Sequence, residues 1–179
     1  MLGRIYRLAR LLLPLGFLAA CGSTEGGTGT SPAEATATFT PKAGTDTAGT
    51  VTFTQTEKGV AILASLSGLA PGKHGIHLHA KGVCSEPDFA SAGDHFNPTN
   101  QPHACPPATK RHAGDFGNIE IGADGTGRLE VTTDLLTLDE GANSALGRAV
   151  ILHDMPDDCA AQPSGAAGAR LGCAVVQRK

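Results

Sequence analysis

Short segments in which apolar and polar residues alternate recur along most of the chain, and glycine-containing turns separate them. An alternation with a period of two, together with many Thr, Val and Ile residues, predicts short β-strands. Eight segments fit this pattern: residues 35–39, 50–56, 60–66, 75–80, 118–121, 128–132, 149–153 and 171–176. Beyond the N-terminal segment no apolar stripe keeps the 3.6-residue period of a helix. The pattern therefore predicts an all-β fold, an antiparallel sandwich or barrel of eight strands.

Two long stretches of the chain show neither periodicity. They cover residues 82–114 and 154–170. Loops of this length in a compact domain are usually functional or disordered. Because these two stretches also hold many of the histidines and cysteines of the chain, we expect two long functional loops.

The N-terminal segment has the layout of an export signal. Residues 1–20 begin with basic residues and continue with an apolar stretch that is too short to span a membrane. The ending Leu18-Ala19-Ala20-Cys21 resembles a bacterial lipobox, which makes Cys21 the predicted site of lipidation; an ordinary cleaved signal followed by an unrelated cysteine is the alternative. Residues 21–34 then form a flexible tether and residues 35–179 the folded domain. We expect an exported protein, lipid-anchored to a bacterial membrane and facing the periplasm or the cell exterior, where cysteines can pair.

The composition narrows the classes of function. With 24 Gly, 11 Pro and 40% hydrophobic residues, the chain is rich in turns but can still form a core, which excludes wholesale disorder. Lys and Arg total 14, and Arg4, Arg7 and Arg10 lie in the export signal, whereas all 17 Asp and Glu residues follow it. An acidic domain without a basic run is not expected to bind nucleic acid.

The histidines point to metal chemistry. His77 and His79 stand two apart in a predicted strand, so their rings project from one face, where protonated rings would repel and a shared metal would hold them together. His153 ends another predicted strand and could reach this pair. Further along the first long stretch, a second group offers three imidazoles and a carboxylate, a donor set suited to tetrahedral zinc. Its members are His95, His103, His112 and Asp115. An all-imidazole site favours copper as well as zinc.

Five segments in a fixed order resemble the copper/zinc superoxide dismutases over residues 35–179. They are HGIHLH (74–79), GDHFNP (93–98), RHAGDFGN (111–118), AVILH (149–153) and GARLGCAVV (168–176). The resemblance implies a Greek-key β-sandwich or barrel, an architecture that this family shares with immunoglobulin domains. It also implies one copper ion and one zinc ion per subunit, and the conversion of superoxide into dioxygen and hydrogen peroxide.

The resemblance assigns roles to individual residues. It implies that copper is bound by His77, His79, His95 and His153, and zinc by His95, His103, His112 and Asp115. His95 then belongs to both sites and serves, with Arg170, as a catalytic residue; Arg170 attracts the anionic substrate. The resemblance also makes His74 a non-ligand that holds the loop of His153 by a hydrogen bond, and Asp157 a carboxylate that links ligands of the two metals, with Asp158 as the neighbouring alternative.

The resemblance further implies a disulfide between Cys84 and Cys173. Cys105 and Cys159 are not part of the general family pattern, and we predict that they bond to each other, with two free thiols as the alternative. The stretch 154–169 is short, acidic and without lysine, so we expect only a modest dependence of rate on salt; Lys110 and Arg111 are candidates to supply the missing positive charge. A copper/zinc carrier without enzymatic activity on the same fold is the alternative function. The sequence does not indicate an oligomeric state.

Overall fold

A computed structural model describes residues 31–179, together with Gly3. The predicted signal, the predicted lipidation site Cys21 and most of the predicted tether lie outside these residues. The unit Ser31–Lys179 contains all the strands described below. Within the described part of the chain, no helix has the length and apolar character needed to cross a membrane.

Ten β-strands and one short 3-10 helix make up this unit. The strands are β1 (Glu34–Thr38), β2 (Thr40–Pro41), β3 (Ala48–Thr56), β4 (Gly59–Ser67), β5 (Gly72–His79), β6 (Asp115–Ile121), β7 (Gly127–Thr133), β8 (Ala149–His153), β9 (Arg170–Val175) and β10 (Gln177–Arg178), and the 3-10 helix is Ala90–Ala92. The prediction of an antiparallel all-β fold is confirmed. The eight predicted strands correspond to β1 and β3–β9, while β2 and β10 are two-residue continuations of β1 and β9 that alternation over so few residues cannot reveal.

The strands form one curled sheet in the order β10-β1-β3-β4-β7-β6-β5-β8-β9-β2. Only Phe39 separates β1 from β2, yet β1 pairs with β3 and β2 pairs with β9 near the other end of the order. The two ends of the sheet therefore meet at the first strand. The neighbours β4–β7 and β5–β8 are not consecutive in the chain, and these two crossovers give the predicted Greek-key connectivity.

The interior of the curled sheet is the main hydrophobic core. Along β4 every second side chain faces inward and is buried: Val60, Ile62, Ala64 and Leu66. Phe53 from β3 meets Phe116 from β6 edge-to-face, with ring centroids 6.4 Å apart. Burying a side chain of the size of Val, Ile, Leu or Phe stabilises the fold by about 1.5–3 kcal/mol relative to an exposed position. This core supplies the rigid frame on which the functional side chains are mounted.

Two strands are buried on both faces, unlike the rest of the sheet. All residues from His74 to His79 in β5 and all five of β8 are buried. Their inward side chains, such as Ile76 and Leu78, join the core, while the outward ones lie beneath the loops that follow each strand. These loops, residues 80–114 and 154–169, correspond to the two predicted aperiodic stretches. The histidines of β5 and β8 therefore lie in a layer between sheet and loops.

Candidate metal centre

Four imidazoles form the first group of converging side chains, which we name the strand cluster: His77, His79, His95 and His153. His77 and His79 belong to β5 and His153 ends β8 beside them, while His95 comes from the first loop and pairs with His79 as an isolated bridge. One ring nitrogen from each lies within 4.8 Å of all the others. Because three of the four rings come from adjacent strands, the sheet register itself brings them together.

In each of the three rings carried by a strand, the outer nitrogen, which points away from the cluster, faces a hydrogen-bond acceptor; the inner nitrogen points into the cluster. His79 Nδ1 is 2.7 Å from the Gly93 carbonyl and His77 Nε2 is 2.8 Å from Asp157 Oδ2. His153 Nδ1 is 3.3 Å from the carbonyl of Gly168. Since these oxygens only accept, each outer nitrogen carries the proton, and the inner nitrogen keeps its lone pair. The rings are thereby turned with their lone pairs toward one another.

The inner nitrogens of the strand cluster have no hydrogen-bond partner. They are His77 Nδ1, His79 Nε2, His95 Nε2 and His153 Nε2, all buried. Burial lowers the pKa of His77 to about 4, of His79 to about 2 and of His153 to about 3. These rings are therefore neutral near pH 7. Buried lone pairs without a partner fit a bound soft or borderline cation such as copper or zinc.

A second group, the loop cluster, collects three imidazoles and a carboxylate: His95, His103, His112 and Asp115. The Nδ1 atoms of His95, His103 and His112 lie 2.8, 3.1 and 3.2 Å from Asp115 Oδ1. His103 Nδ1 and His112 Nδ1 nevertheless make no hydrogen bond. Four atoms around a tetrahedral ion bound at 2.0–2.1 Å would stand about 3.3 Å apart, so this donor set fits zinc in size and in chemistry.

The backbone holds the carboxylate of the loop cluster in place. Asp115 Oδ2 accepts the backbone N–H of His112 at 3.0 Å and that of Ala104 at 3.2 Å. Asp115 is also the cross-strand partner of His77, after a register shift between Gly75 and His77. This bulge in β5 therefore sets the offset between the two clusters.

His95 is shared by both clusters. Its Nδ1 is 2.8 Å from Asp115 Oδ1 in the loop cluster, and its Nε2 is one of the unpartnered nitrogens of the strand cluster. Its ring lies 4.0 Å from that of His77 and 5.4 Å from that of His103, centroid to centroid. The two nitrogens of one ring thus face two different donor sets.

Asp157 links the two clusters from their outer side. Its Oδ2 contacts His77 Nε2, and its Oδ1 lies 2.9 Å from His103 Nε2. Burial opposes charge on this carboxyl, but hydrogen bonds from His103 and His77 hold its pKa well below the usual range. The neighbouring Asp158 is exposed, accepts the backbone N–H groups of Ala160 and Ala161, and touches neither histidine.

His103 differs from the rings of the strand cluster in its protonation. Burial alone would lower its pKa, but the contacts of its two ring nitrogens with the carboxylates of Asp115 and Asp157 raise the pKa to about 9. The same contacts hold the pKa of Asp115 well below its usual range. Without metal, the loop cluster is therefore a charged network in which the protonated ring of His103 lies between the carboxylates of Asp115 and Asp157.

A cleft of about 710 Å³ opens onto the strand cluster, lined by His79, His95, His153 and Arg170 among others. Arg170 is the cross-strand partner of His153, and its guanidinium donates to the carbonyls of Phe89 and Gly93. Neither Arg170 nor Arg148, which also lines the cleft, forms an ion pair within the described residues. The cleft is thus bordered by two cationic groups.

Sequence reasoning missed Arg148. Its guanidinium lies 3.4 Å above the ring of Phe96 and donates to the carbonyls of Ala80 and Ser144 at 2.8 and 2.6 Å. The available signal was a lone basic residue at the entrance to the strand that ends in His153. Arg111, by contrast, is buried and donates to Ala108 and Thr133, while Lys110 does not line the cleft.

The remaining predicted residues surround the two clusters. His74 Nδ1 is 2.9 Å from the carbonyl of His153, and its Nε2 is 2.9 Å from that of Ala70. The structure contains both predicted disulfides, Cys84–Cys173 and Cys105–Cys159. The first joins the loop after β5 to β9, and the second joins the two long loops.

Comparisons with known proteins agree with this geometry. The profile of the family described as copper/zinc superoxide dismutase (SODC) matches residues 47–176. The crystal structure of a double mutant of a SOD-like protein from Bacillus subtilis is 35% identical, aligns over 79% of this chain and 96% of its own, and superposes with a TM-score of 0.72. The structure of the clock protein EA4 is also 35% identical, aligns over 83% of this chain and 96% of its own, with a TM-score of 0.74. Since the matched region spans most of the chain and carries both histidine clusters, the chain belongs to the copper/zinc superoxide dismutase family.

Proposed function

We propose that the protein is an exported superoxide dismutase with one copper ion in the strand cluster and one zinc ion in the loop cluster. The observation that carries the proposal is the position of His95, whose ring stands between two complete donor sets beside an open cleft with an arginine. A site built only to store metal has no need of a shared ring or of a cation directed at a small anion. The overall reaction converts two superoxide ions and two protons into dioxygen and hydrogen peroxide.

The residues present fit both metals. Six buried ring nitrogens lack any partner, and all six belong to the two clusters. When bound, copper supplies one-electron redox chemistry and zinc supplies a fixed positive charge on the far side of His95. His77, His79, His95 and His153 would hold the copper, and His95, His103, His112 and Asp115 the zinc.

The side chains around the cleft bind the substrate and move its proton. Arg170 keeps its charge at any working pH, and its two hydrogen bonds to carbonyl groups fix the guanidinium beside the strand cluster. A superoxide anion in the cleft is thereby attracted and oriented. The Nε2 atom of His95 faces the strand cluster and can hold or release a proton there, while its Nδ1 stays anchored on the loop cluster. His95 is in this way placed to deliver the proton that the peroxide product requires.

Location outside the cytoplasm is part of the proposal. The two disulfides are consistent with an oxidising compartment. Cleavage before Cys21 and lipidation of that cysteine would anchor the domain to a bacterial membrane through residues 21–34. Mass spectrometry of the mature N-terminus tests this, and an unmodified N-terminus would remove the anchor from the proposal.

The competing function is a copper/zinc carrier on the same scaffold. One structural relative is called a clock protein, and a fold by itself does not establish turnover.

The test loads the protein with copper and zinc, then measures metal content and the rate of superoxide removal together. We expect one ion of each metal per chain and fast turnover, with large losses in His95→Ala and Arg170→Ala. Arg128→Ala, at an exposed arginine on β7, is the matched control and should match the wild type. Full loading without turnover would favour the carrier.

A further inference from the structure

An exposed glutamine of the second long loop makes two hydrogen bonds to the backbone of a loop-cluster residue. The N–H of His103 donates to Gln162 Oε1 at 2.8 Å, and Gln162 Nε2 donates to the carbonyl of His103 at 2.9 Å. This reciprocal pair imitates the pairing of two strands, so it fixes both the position and the tilt of the peptide that carries the His103 ring. Residue 162 belongs to none of the motifs that resemble the family.

The same arrangement occurs on the other side of the His103–Asp157 contact. The N–H of Asp157 donates to Asn118 Oδ1 at 2.7 Å, and Asn118 Nδ2 donates to the carbonyl of Asp157 at 2.9 Å. Each member of the contact is therefore held by an amide side chain from a different part of the chain: His103 from the second loop, and Asp157 from β6. The two amides together fix the orientation in which the carboxylate meets the imidazole.

A covalent link closes the same region. Cys105 follows His103 by two residues, and Cys159 follows Asp157 by two residues, so their disulfide ties the two loops beside the contact. The backbone N–H of Cys159 also donates to Asp157 Oδ1 at 2.7 Å. Gly165 packs directly against Asp157 and His103, where an added Cβ would overlap both side chains. All of these links join protein atoms directly to one another.

We propose that Gln162, Asn118 and the Cys105–Cys159 disulfide form a cross-loop clamp that positions His103 for cation binding before any cation is present. Gln162 is a positioning residue, since it acts on the ring through the backbone. The inference rests on the proposed role of the loop cluster as a cation site. It adds that the affinity of this cluster for zinc depends on an exposed residue outside the donor set.

The first test measures the metal-free protein. In Gln162→Ala, amide hydrogen exchange at His103 and its neighbours in the first loop should become at least about tenfold faster, because the acceptor of the His103 N–H is gone. Gln101→Ala is the control: Gln101 lies in the first loop two residues before His103, its side chain donates to the Thr99 carbonyl, and it touches no ligand. Unchanged exchange in Gln162→Ala would overturn the proposal.

The second test measures zinc affinity by competition with a chelator. Loss of an outer partner of a metal ligand typically weakens metal binding 10–100-fold, and we expect about tenfold weaker zinc binding in Gln162→Ala. The zinc affinity of Gln162→Glu should lie between those of the wild type and Gln162→Ala. The glutamate can still accept the His103 N–H, but it places a carboxylate against the His103 carbonyl. Copper binding at the strand cluster should not change. Equal zinc affinity in wild type and Gln162→Ala would overturn the proposal.

These readouts separate the clamp from the enzyme. Exchange and zinc affinity can change in a protein that has no dismutase activity, so failure of the proposed function leaves the clamp testable. If Gln162→Ala does not fold, the Gln162→Glu variant and a double variant Cys105→Ser/Cys159→Ser carry the same measurements. Weaker zinc binding in either, with intact copper binding, supports the clamp; unchanged zinc binding in both contradicts it.

Discussion

The two clusters share His95 but are built in different ways. The strand cluster takes three of its four rings from adjacent strands, so the hydrogen-bond ladder of the sheet sets their spacing. The loop cluster takes His103 and His112 from an aperiodic loop, whose geometry depends on tertiary links to the second loop. A site on strands needs only correct register, whereas a site on loops needs additional fixation.

The clusters also differ in charge. Burial lowers the pKa of the strand-cluster rings His77, His79 and His153, which therefore stay neutral. In the loop cluster, paired carboxylates raise the pKa of His103. A cation can therefore bind the lone pairs of the strand cluster directly, whereas cation binding at the loop cluster must displace the proton of His103.

Removing the disulfide Cys105–Cys159 between the two loops should have the largest effect of the changes considered, and this effect should concern the loop cluster. Its ends are 54 residues apart, for which loop entropy gives about 4 kcal/mol of stabilisation. In Cys105→Ser/Cys159→Ser we expect the free energy of unfolding of the metal-free protein to fall by about that amount, measured in denaturant. Copper affinity should survive. A variant as stable as the wild type would show that the loops are fixed without the bond.

Asp115→Ala should separate the two clusters by metal. The side chain supplies the oxygen donor of the loop cluster and fixes His112 and Ala104 by their N–H groups, so we expect zinc affinity to fall more than about 100-fold. Copper affinity should change far less, because Asp115 is not in the strand cluster. Asp158→Ala removes a nearby exposed carboxylate that contacts no histidine and serves as control. Equal loss of both metals would contradict the separation.

The pH dependence of stability in the metal-free protein should show one limb from each cluster. The pKa of His77 is 6.5 in the unfolded chain and about 4 in the folded protein, where the ring is buried. Between these pH values the unfolded chain binds a proton that the folded protein does not, so stability falls as the pH drops. Between 6.5 and about 9, the folded protein keeps a proton on His103 that the unfolded chain releases, so stability falls as the pH rises.

Thermal unfolding at a series of pH values measures both limbs, and we expect the maximum near pH 6.5. His103→Gln should abolish the alkaline limb and leave the acidic one. A metal-free protein whose stability still rises above pH 8 would contradict the charged state of His103.

The smallest predicted effect concerns the mouth of the cleft. Arg148→Gln removes one of the two cations that border the strand cluster, and we expect the catalytic efficiency to fall about threefold at low ionic strength. The difference should disappear in high salt, where exposed charges are screened. The modest salt dependence expected of the wild type comes from the same two arginines. An equal loss at every salt concentration would instead indicate a packing role on Phe96.

The sequence predicted the strand cluster more completely than its surroundings. His77 and His79 are revealed by alternation alone, since a period of two puts them on one face. The choice between Asp157 and Asp158, the position of Arg148 and the contacts of Gln162 depend on how two loops meet. Such contacts join residues far apart in the chain and carry no local pattern, so composition and periodicity could not reveal them.

The closure of the sheet at the split first strand also limits the unpaired strand edges that the sheet exposes. At the two ends of the strand order stand β2 and β10, each only two residues long. Pro41 in β2 has no backbone N–H to offer, and Arg178 in β10 carries a charge. A long unpaired edge is the template on which strands of other molecules add and aggregate, and natural sheets blunt it with short strands, proline and charge. Within the described residues, neither end of the strand order therefore presents a long, uncharged strand to which another molecule could add.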